Sequence, residues 1–346
     1  MNPILLAKRA LAGFITDPDA TLVPIESGLI NRSYVVSSKG QRYVLQRVHP
    51  VFSPAVNEDL AAVTAHLQKK KLVTPQLLKT KKQNWWHEEE GAVFRLMSFI
   101  DGVTYEHTTT PQLACEAGLL VAKFHQALVD FSDEFKFMRP HVHDMQNHLR
   151  ILQETVNQQK HHPYYERNVV LAEAILRAAT QLDALSETPL RVVHGDLKIS
   201  NLLFDKTTGS GICLVDLDTV ARMMLPLELG DAIRSWCNSV EEDQGEPEFD
   251  LEFFSAAIRG YLPAARAFIQ PEEASQLVLG AMTIALELAA RFCTDAFNEN
   301  YFAWDVKRFP DRSTHNFVRA QGQLQLHHAM VAVRRVAEKL VEQTLS

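Results

Sequence analysis

Apolar positions recur along this chain with two different periods, and the change of period divides it. Ile4, Leu5, Leu11 and Ile15 fall at helical spacing and stop at the breaker cluster Thr16-Asp17-Pro18, so a short helix over 4–15 opens the sequence. The pattern then turns β-like. Tyr34-Val35-Val36 and the run from Arg42 to Val48 are rich in β-branched and aromatic residues, and Ser37-Ser38-Lys39-Gly40-Gln41 between them has hairpin composition. Side chains alternate along a strand, which puts Tyr43, Leu45 and Arg47 on one side. Leu60, Val63 and Leu67 restore helical spacing behind Pro54, predicting a helix over 55–67 that carries Glu58. Strands are expected again at 76–78 and 93–99, the second ending at the turn Asp101-Gly102. The first hundred residues thus predict a small antiparallel sheet with one inserted helix.

Beyond Asp101 the period is mostly helical. Leu113, Ala117, Leu120, Val121, Phe124 and Leu128 form one apolar stripe, and Leu171, Ile175, Leu182 and Leu185 form a second. A short β patch interrupts the helices: Arg191 to His194, Leu202 to Phe204, the turn Thr207-Thr208-Gly209-Ser210-Gly211, and Ile212 to Val215. Helix then resumes, with Pro271-Glu272-Glu273 opening one segment and a final run from Asn316 to Leu345. No internal repeat, low-complexity tract or long linker is present.

Composition narrows the function classes. With 346 residues, 46% apolar and 22% charged, the chain is globular and large enough for two domains or one two-lobed domain. A net charge of −7 offers no global positive field for a nucleic-acid partner. The apolar stretch from Leu277 to Leu286 gives way to Glu287 and Arg291, shorter than the roughly 18 residues a membrane span requires. No membrane segment is therefore expected, and the absence of signal-peptide order at the N-terminus makes a cytoplasmic location the expectation. The four cysteines are widely spaced and read as reduced core thiols, while the paired histidines (His161-His162, His141/His143, His327-His328) are poorly placed to converge on one metal.

Polar residues interrupt the β patch at fixed places. His194-Gly-Asp-Leu-Lys-Ile-Ser-Asn201 sets Asp196 and Asn201 five residues apart between two β runs, and Asp216 follows the next strand twenty positions after Asp196. Phosphoryl transfer needs a carboxylate to orient or accept the proton of the attacking hydroxyl, and hard oxygen ligands for Mg²⁺ on nucleotide phosphates. Asp196 suits the first task; Asn201 and Asp216 suit the second. Lys198 is placed to neutralise the transferring phosphoryl charge. A plain turn with Asp196 as a cap accounts for the loop but not for the joint spacing with Asn201 and Asp216.

These motifs, with Leu214-Val-Asp-Leu-Asp218, resemble the catalytic and metal motifs of the aminoglycoside phosphotransferase and choline kinase superfamily, a branch of the protein-kinase-like fold. More narrowly, Ser27-Gly28-Leu29-Ile30-Asn31, Val44-Leu45-Gln46-Arg47, Val215 to Val220 and Gly230-Asp231-Ala232-Ile233-Arg234 resemble its N-acetylhexosamine 1-kinase branch. The resemblance implies an α+β, two-lobed fold: a nucleotide-binding sheet lobe over 1–100 and a larger, mainly helical catalytic and acceptor-binding lobe over 101–346. It implies ATP and Mg²⁺ as cofactors, with Asp196 as base and Asn201 and Asp216 as metal ligands. Arg47 would stand where such kinases carry a phosphate-binding lysine, with Glu58 as its partner. Ser27 and Gly28 would lie in the phosphate-covering loop, and Met97 and Phe99 at the interlobe hinge that receives adenine. Asn31, Asp218, Asp231, Arg234 and Arg291 would face the acceptor, Asp231 and Arg234 being equally able to form a buried i,i+3 ion pair.

A protein kinase is the rival reading of the same loop. Leu217-Asp218 after the metal aspartate, the lack of an Ala-Pro-Glu element and the 14 residues between Asp216 and Asp231 leave no room for a long activation segment. The expected partner is therefore a small-molecule hydroxyl, a sugar such as an N-acetylhexosamine by resemblance, with amino alcohols, aminoglycosides and homoserine-like acceptors as alternatives. A nucleotide-binding scaffold without turnover would need none of Asp196, Asn201 and Asp216 together.

Overall fold

The computed structural model describes residues 2–25, 31–138, 142–238 and 247–345. Helix α1 (Pro3–Leu11) starts behind Asn2, whose side-chain oxygen accepts the Ile4 N–H at 2.9 Å, and buries Leu6, Ala7, Ala10 and Leu11. It ends four residues before the predicted Ile15. Strands β1 (Thr21–Ile25), β2 (Arg32–Ser38), β3 (Gln41–Arg47), β4 (Leu77–Leu78), β5 (His87–Glu89) and β6 (Ala92–Ser98) form an antiparallel sheet in the order β1-β2-β3-β6-β4, with β5 also on β6. Lys39 and Gly40, both at positive φ, turn the β2–β3 hairpin. Strand β1 escapes the periodicity because Pro24 interrupts it, and an edge strand tolerates that missing N–H. Tyr34, Val36, Leu45, Phe94 and Leu96 pack one sheet face onto α1.

Helix α2 (Val56–Lys69) is different from a simple sheet-lobe helix. Val56, Leu60, Val63 and Leu67 belong to the same continuous apolar core as Leu113, Leu120 and Phe124 of α3 (Pro111–Ala127). Asp59 on α2 accepts the N–H groups of Lys136 (2.8 Å) and Phe137 (2.9 Å) from the loop after α3. The large lobe continues with α4 (Met145–Gln158) and α5 (Tyr165–Gln181), then two small hairpin-like sheets: β7 (Leu190–Val193) with β10 (Ala221–Met224), and β8 (Leu202–Phe204) with β9 (Gly211–Leu214). Helices α6 (Leu225–Trp236), α7 (Leu251–Ala265), α8 (Pro271–Ser275), α9 (Leu277–Asn298) and α10 (Arg312–Leu345) complete it.

The molecule is thus a two-lobed α+β fold with an antiparallel sheet lobe and a larger helical lobe. Helix α9 is long and apolar enough to cross a membrane by length and composition, yet 83% of that window is buried inside the protein, where α4, α5, α6 and α10 surround it. Gly230 and Gly280 let α6 and α9 approach closely: a methyl on Gly280 would overlap the carbonyl of Pro226. Cys213, Cys237 and Cys293 are buried, Cys115 half-buried, and burial pushes the Cys213 thiol up to about 12.

Candidate active site

The loop between β7 and β8 is built around one buried carboxylate. Glu228 of α6, fully buried, accepts the N–H groups of His194 (2.8 Å) and Gly195 (2.9 Å). Gly195 sits at φ +81°, and a side chain there would strike the Thr219 carbonyl, so only glycine fits this turn. The His194 ring bonds the Val215 carbonyl through Nε2 (2.8 Å), the Thr219 hydroxyl donates to the His194 carbonyl (2.8 Å), and the Trp236 indole donates to the Leu197 carbonyl (2.7 Å). These ties hold Asp196 still while leaving its carboxylate open to solvent.

The β8–β9 register, Leu202 opposite Leu214, brings the residues flanking the hairpin together, and the Val215 N–H donates to the Asn201 carbonyl at 2.9 Å. Asn201 donates its amide to the Asp196 backbone carbonyl (2.8 Å) and carboxylate (3.0 Å), and Lys198 lies 3.1 Å from that carboxylate. Asp216 follows in left-handed backbone conformation (φ 61°, ψ 52°), and no hydrogen bond to its carboxylate is found among the described residues. Burial pushes its carboxyl up, Asp218 and Asp196 add to that, and Arg95 and Lys198 oppose it. Lys198 is itself raised: burial works against its charge, but the carboxylates of Asp196, Asp216 and Asp231 outweigh it. The site therefore concentrates negative charge where a cation would relieve it.

The donor set fits Mg²⁺. Asn201 spends its amide nitrogen on Asp196 and keeps its carbonyl oxygen, Asp216 keeps both carboxylate oxygens, and a hard divalent ion on nucleotide phosphates needs only one or two such protein ligands. Accordingly, no cluster of three His, Cys, Asp or Glu able to hold a metal occurs among the described residues.

Several expected contacts are not made. Arg47 shares the sheet face of Leu45, with Phe94 as its cross-strand neighbour, and so lies on the α1 side, opposite the face whose residues reach Asp218. Glu58 pairs with Lys136 instead, so the expected Arg47–Glu58 pair does not form. Asn31 and Asp218 are buried against each other: Asn31 donates its amide to Asp218 (2.6 Å) and accepts the His49 N–H (3.0 Å), which occupies both groups expected to face an acceptor. Met97 pairs with Val44 and Leu77, and beside it the N–H groups of Ser98 and Phe99 donate to the carbonyls of Gln76 and Arg42. Ser27 and Gly28 lie outside the described residues.

A second cluster adjoins the first. Asp231 is bound by Arg234 (3.0 and 3.2 Å), and its carboxyl lies below the ordinary range because Arg234 and then His143 outweigh the effect of burial. His143 is raised, burial being outweighed by Glu287 and Asp231. Glu287, at the centre of α9, is fully buried with both carboxylate oxygens lacking a hydrogen bond, ringed by His143 (3.4 Å), Arg291 (3.6 Å) and His148 (3.8 Å). Both ring nitrogens of His143 are likewise buried without a hydrogen bond. Arg291 also lies over the Phe302 ring at 5.6 Å. Sequence reasoning passed over Arg95, Gln46 and Glu228, and weighed His143 only as a metal ligand and Glu287 only as a charge ending an apolar stretch, although Arg95 and Glu228 each stand out as a lone charge in an apolar run.

Comparison with known proteins identifies the family and the fold. Residues 21–268 match the model of the family described as the phosphotransferase enzyme family. The chain is 22% identical over 261 residues to a homoserine kinase of Zymomonas mobilis, covering 74% of this chain and 75% of the relative. Among solved structures, it resembles an amicoumacin kinase in complex with AMP-PNP and Ca²⁺ (TM-score 0.65, 13% identity, 94% of this chain and 93% of the other). It also resembles a choline kinase of Cryptosporidium parvum (TM-score 0.61, 16% identity, 99% of each chain). A microcompartment-associated aminopropanol kinase superposes with a TM-score of 0.63 at 14% identity, over 95% of this chain and 98% of the other. The N-acetylhexosamine branch expected from the motifs is not singled out by these matches.

Proposed function

The chain belongs to the phosphotransferase enzyme family and is a kinase of a small-molecule hydroxyl, and from that premise we propose that it phosphorylates an alcohol bearing an amino group, using ATP and Mg²⁺. The observation that carries the reading is the convergence of Asp196, Lys198, Asn201 and Asp216 at one end of two short hairpins, next to a buried acidic cluster. The relatives named above as homoserine, aminopropanol and choline kinases act on alcohols that carry a cationic nitrogen a few bonds from the hydroxyl. Glu287, buried and approached by His143, Arg291 and His148 at 3.4–3.8 Å, adds a carboxylate to this acidic cluster that favours a cationic acceptor nearby. Residues 1–100 would bind the nucleotide and 101–346 the acceptor.

In this reading Asp196 orients the acceptor hydroxyl and takes its proton as oxygen bonds to the γ-phosphorus and the bond to ADP breaks. Asn201 and Asp216 would hold Mg²⁺, which supplies charge neutralisation on the phosphates. Lys198, held beside Asp196, stabilises charge on the phosphoryl group in flight. Asp231 and Glu287 would receive the amino group, and Arg291 the remaining polar end of the acceptor.

An ADP-release assay with MgATP across amino alcohols, homoserine, aminoglycosides and N-acetylhexosamines tests this directly. Turnover is expected with an amine-bearing alcohol and should fall by about 10²–10⁴-fold in Asp196→Asn without loss of thermal stability. Turnover confined to N-acetylhexosamines would replace the amine reading with the sugar, and unchanged activity in Asp196→Asn would remove Asp196 from the chemistry.

A further inference from the structure

On the sheet face that looks toward Asp216, the one cation from β3, Arg42, is drawn off to Asp101 and the Phe99 ring. Gln46 occupies that face, and its cross-strand neighbour on β6, Arg95, is 1% exposed. The Arg95 guanidinium is held by two partners. Its Nε and Nη2 donate to the Gln46 carbonyl oxygen (2.8 and 2.6 Å), while Nη1 and Nη2 grip both oxygens of Asp218, Nη2 at 2.9 Å. Asn31 adds a further hydrogen bond to Asp218. Asp218 in turn sits in the 3₁₀ turn Leu217–Thr219 that begins at Asp216. A single buried fork–fork ion pair therefore fastens the turn carrying Asp216 to the middle of the small-lobe sheet.

We propose that Arg95 is a positioning residue for the cation and nucleotide site, acting through Asp218 on Asp216. Two features separate it from an ordinary stabilising pair. Buried ion pairs contribute little net stability, because desolvation offsets attraction, so a pair in this place is not explained by stability alone. The orienting Gln46 fixes the plane of the guanidinium, and a bidentate grip transmits that orientation to Asp218, two residues from the cation ligand. Arg95 thus acts from β6 on the turn that carries Asp216, a role distinct from the phosphate binding that the resemblance implied for Arg47 on β3.

The inference rests on Asp216 as a cation ligand, so its test measures binding as well as turnover. Mn²⁺ binding in the presence of ADP, read by electron paramagnetic resonance, and MgADP binding by calorimetry would be compared in wild type, Asp216→Ala, Arg95→Met, Arg95→Lys and the Asp216→Ala/Arg95→Met double variant. Arg95→Met is expected to weaken Mn²⁺ binding at least tenfold and raise KM for ATP while leaving KM for the acceptor within twofold. Arg95→Lys should recover part of the loss. In the double variant Arg95→Met should add nothing to the loss caused by Asp216→Ala, since the two act along one path. Should Arg95→Met fail to fold, Gln46→Leu, which frees only the orientation of the guanidinium, should shift the same constants by a few-fold. Wild-type binding that is lost in Asp216→Ala but unchanged in Arg95→Met and Gln46→Leu, with only a lowered Tm, overturns the positioning role alone. Wild-type protein that binds no Mn²⁺ with ADP, or Asp216→Ala that binds it as tightly, overturns both this role and the kinase assignment of Asp216.

Discussion

At the scale of single residues, the site is an arrangement of buried carboxylates whose charges are settled differently. Glu228 accepts two backbone N–H donors, Asp218 is paired with a guanidinium and Asp231 with Arg234, while Asp216 accepts no hydrogen bond among the described residues and has only the longer-range charges of Arg95 and Lys198. The unsettled one is the proposed cation ligand. Asp231 gives a pH prediction whose sign can be worked out. Its folded carboxyl lies below the ordinary value of 3.8, so in acid the unfolded chain takes up the proton first. The ion pair's contribution is complete above that value and is lost as pH falls through the lower folded one. Asp231→Asn should lower stability near neutral pH and flatten the loss of stability below about pH 4. Denaturant titrations at pH 7 and pH 3 check this, and an equally steep acid limb in the variant would show that Asp231 does not drive it.

At the scale of elements, regular periodicity was readable and its exceptions were not. The β2–β3 hairpin, α2, β6, α3 and the β8–β9 patch follow from the β-rich runs or helical spacing of their apolar residues. Strand β1 was missed because it is an edge strand broken by Pro24, and α4 because its mean hydropathy is low and it buries only Leu152, Thr155 and Val156. The loop holding Asp196 was legible from residue types and spacing. Arg95 was not, because its importance comes from which sheet face it occupies, a matter of register between β3 and β6. Helix α9 shows the same dependence on packing: its apolar length suits a membrane, but Gly280 lets α6 lie against it. Gly280→Ala would drive a methyl into the Pro226 carbonyl, so the helices must part. A loss of about 1–3 kcal/mol is expected, measurable as a lowered denaturation midpoint. Undiminished stability would mean that the crossing is looser than its geometry indicates.

At the scale of the whole molecule, the lobes do not coincide with the cores. The sheet and α1 share one core, built on Leu45, Phe94 and Leu96, whereas α2 is continuous with the core of the large lobe and is tied to the loop after α3 by Asp59 and Glu58. The sheet is joined to the large lobe by the chain at α2, by the chain that follows β6, and by the bonds of Arg95 and Asn31 to Asp218. Cleft motion in this kinase should therefore take place between the sheet and α2, with α2 remaining on the large lobe. Leu45→Ala, a cavity in the sheet core costing about 2–5 kcal/mol, separates the two possibilities. Hydrogen exchange should quicken across α1, β2, β3 and β6 while amides of α2 stay as slow as those of α7, because local openings follow contiguous cores. Acceleration of α2 together with the sheet would mean that the small lobe opens as one unit and that the shared core does not hold α2 in place. MgADP added to the same experiment should slow exchange in β6 and in the β8–β9 hairpin together, since Arg95 links the one to the turn that follows the other.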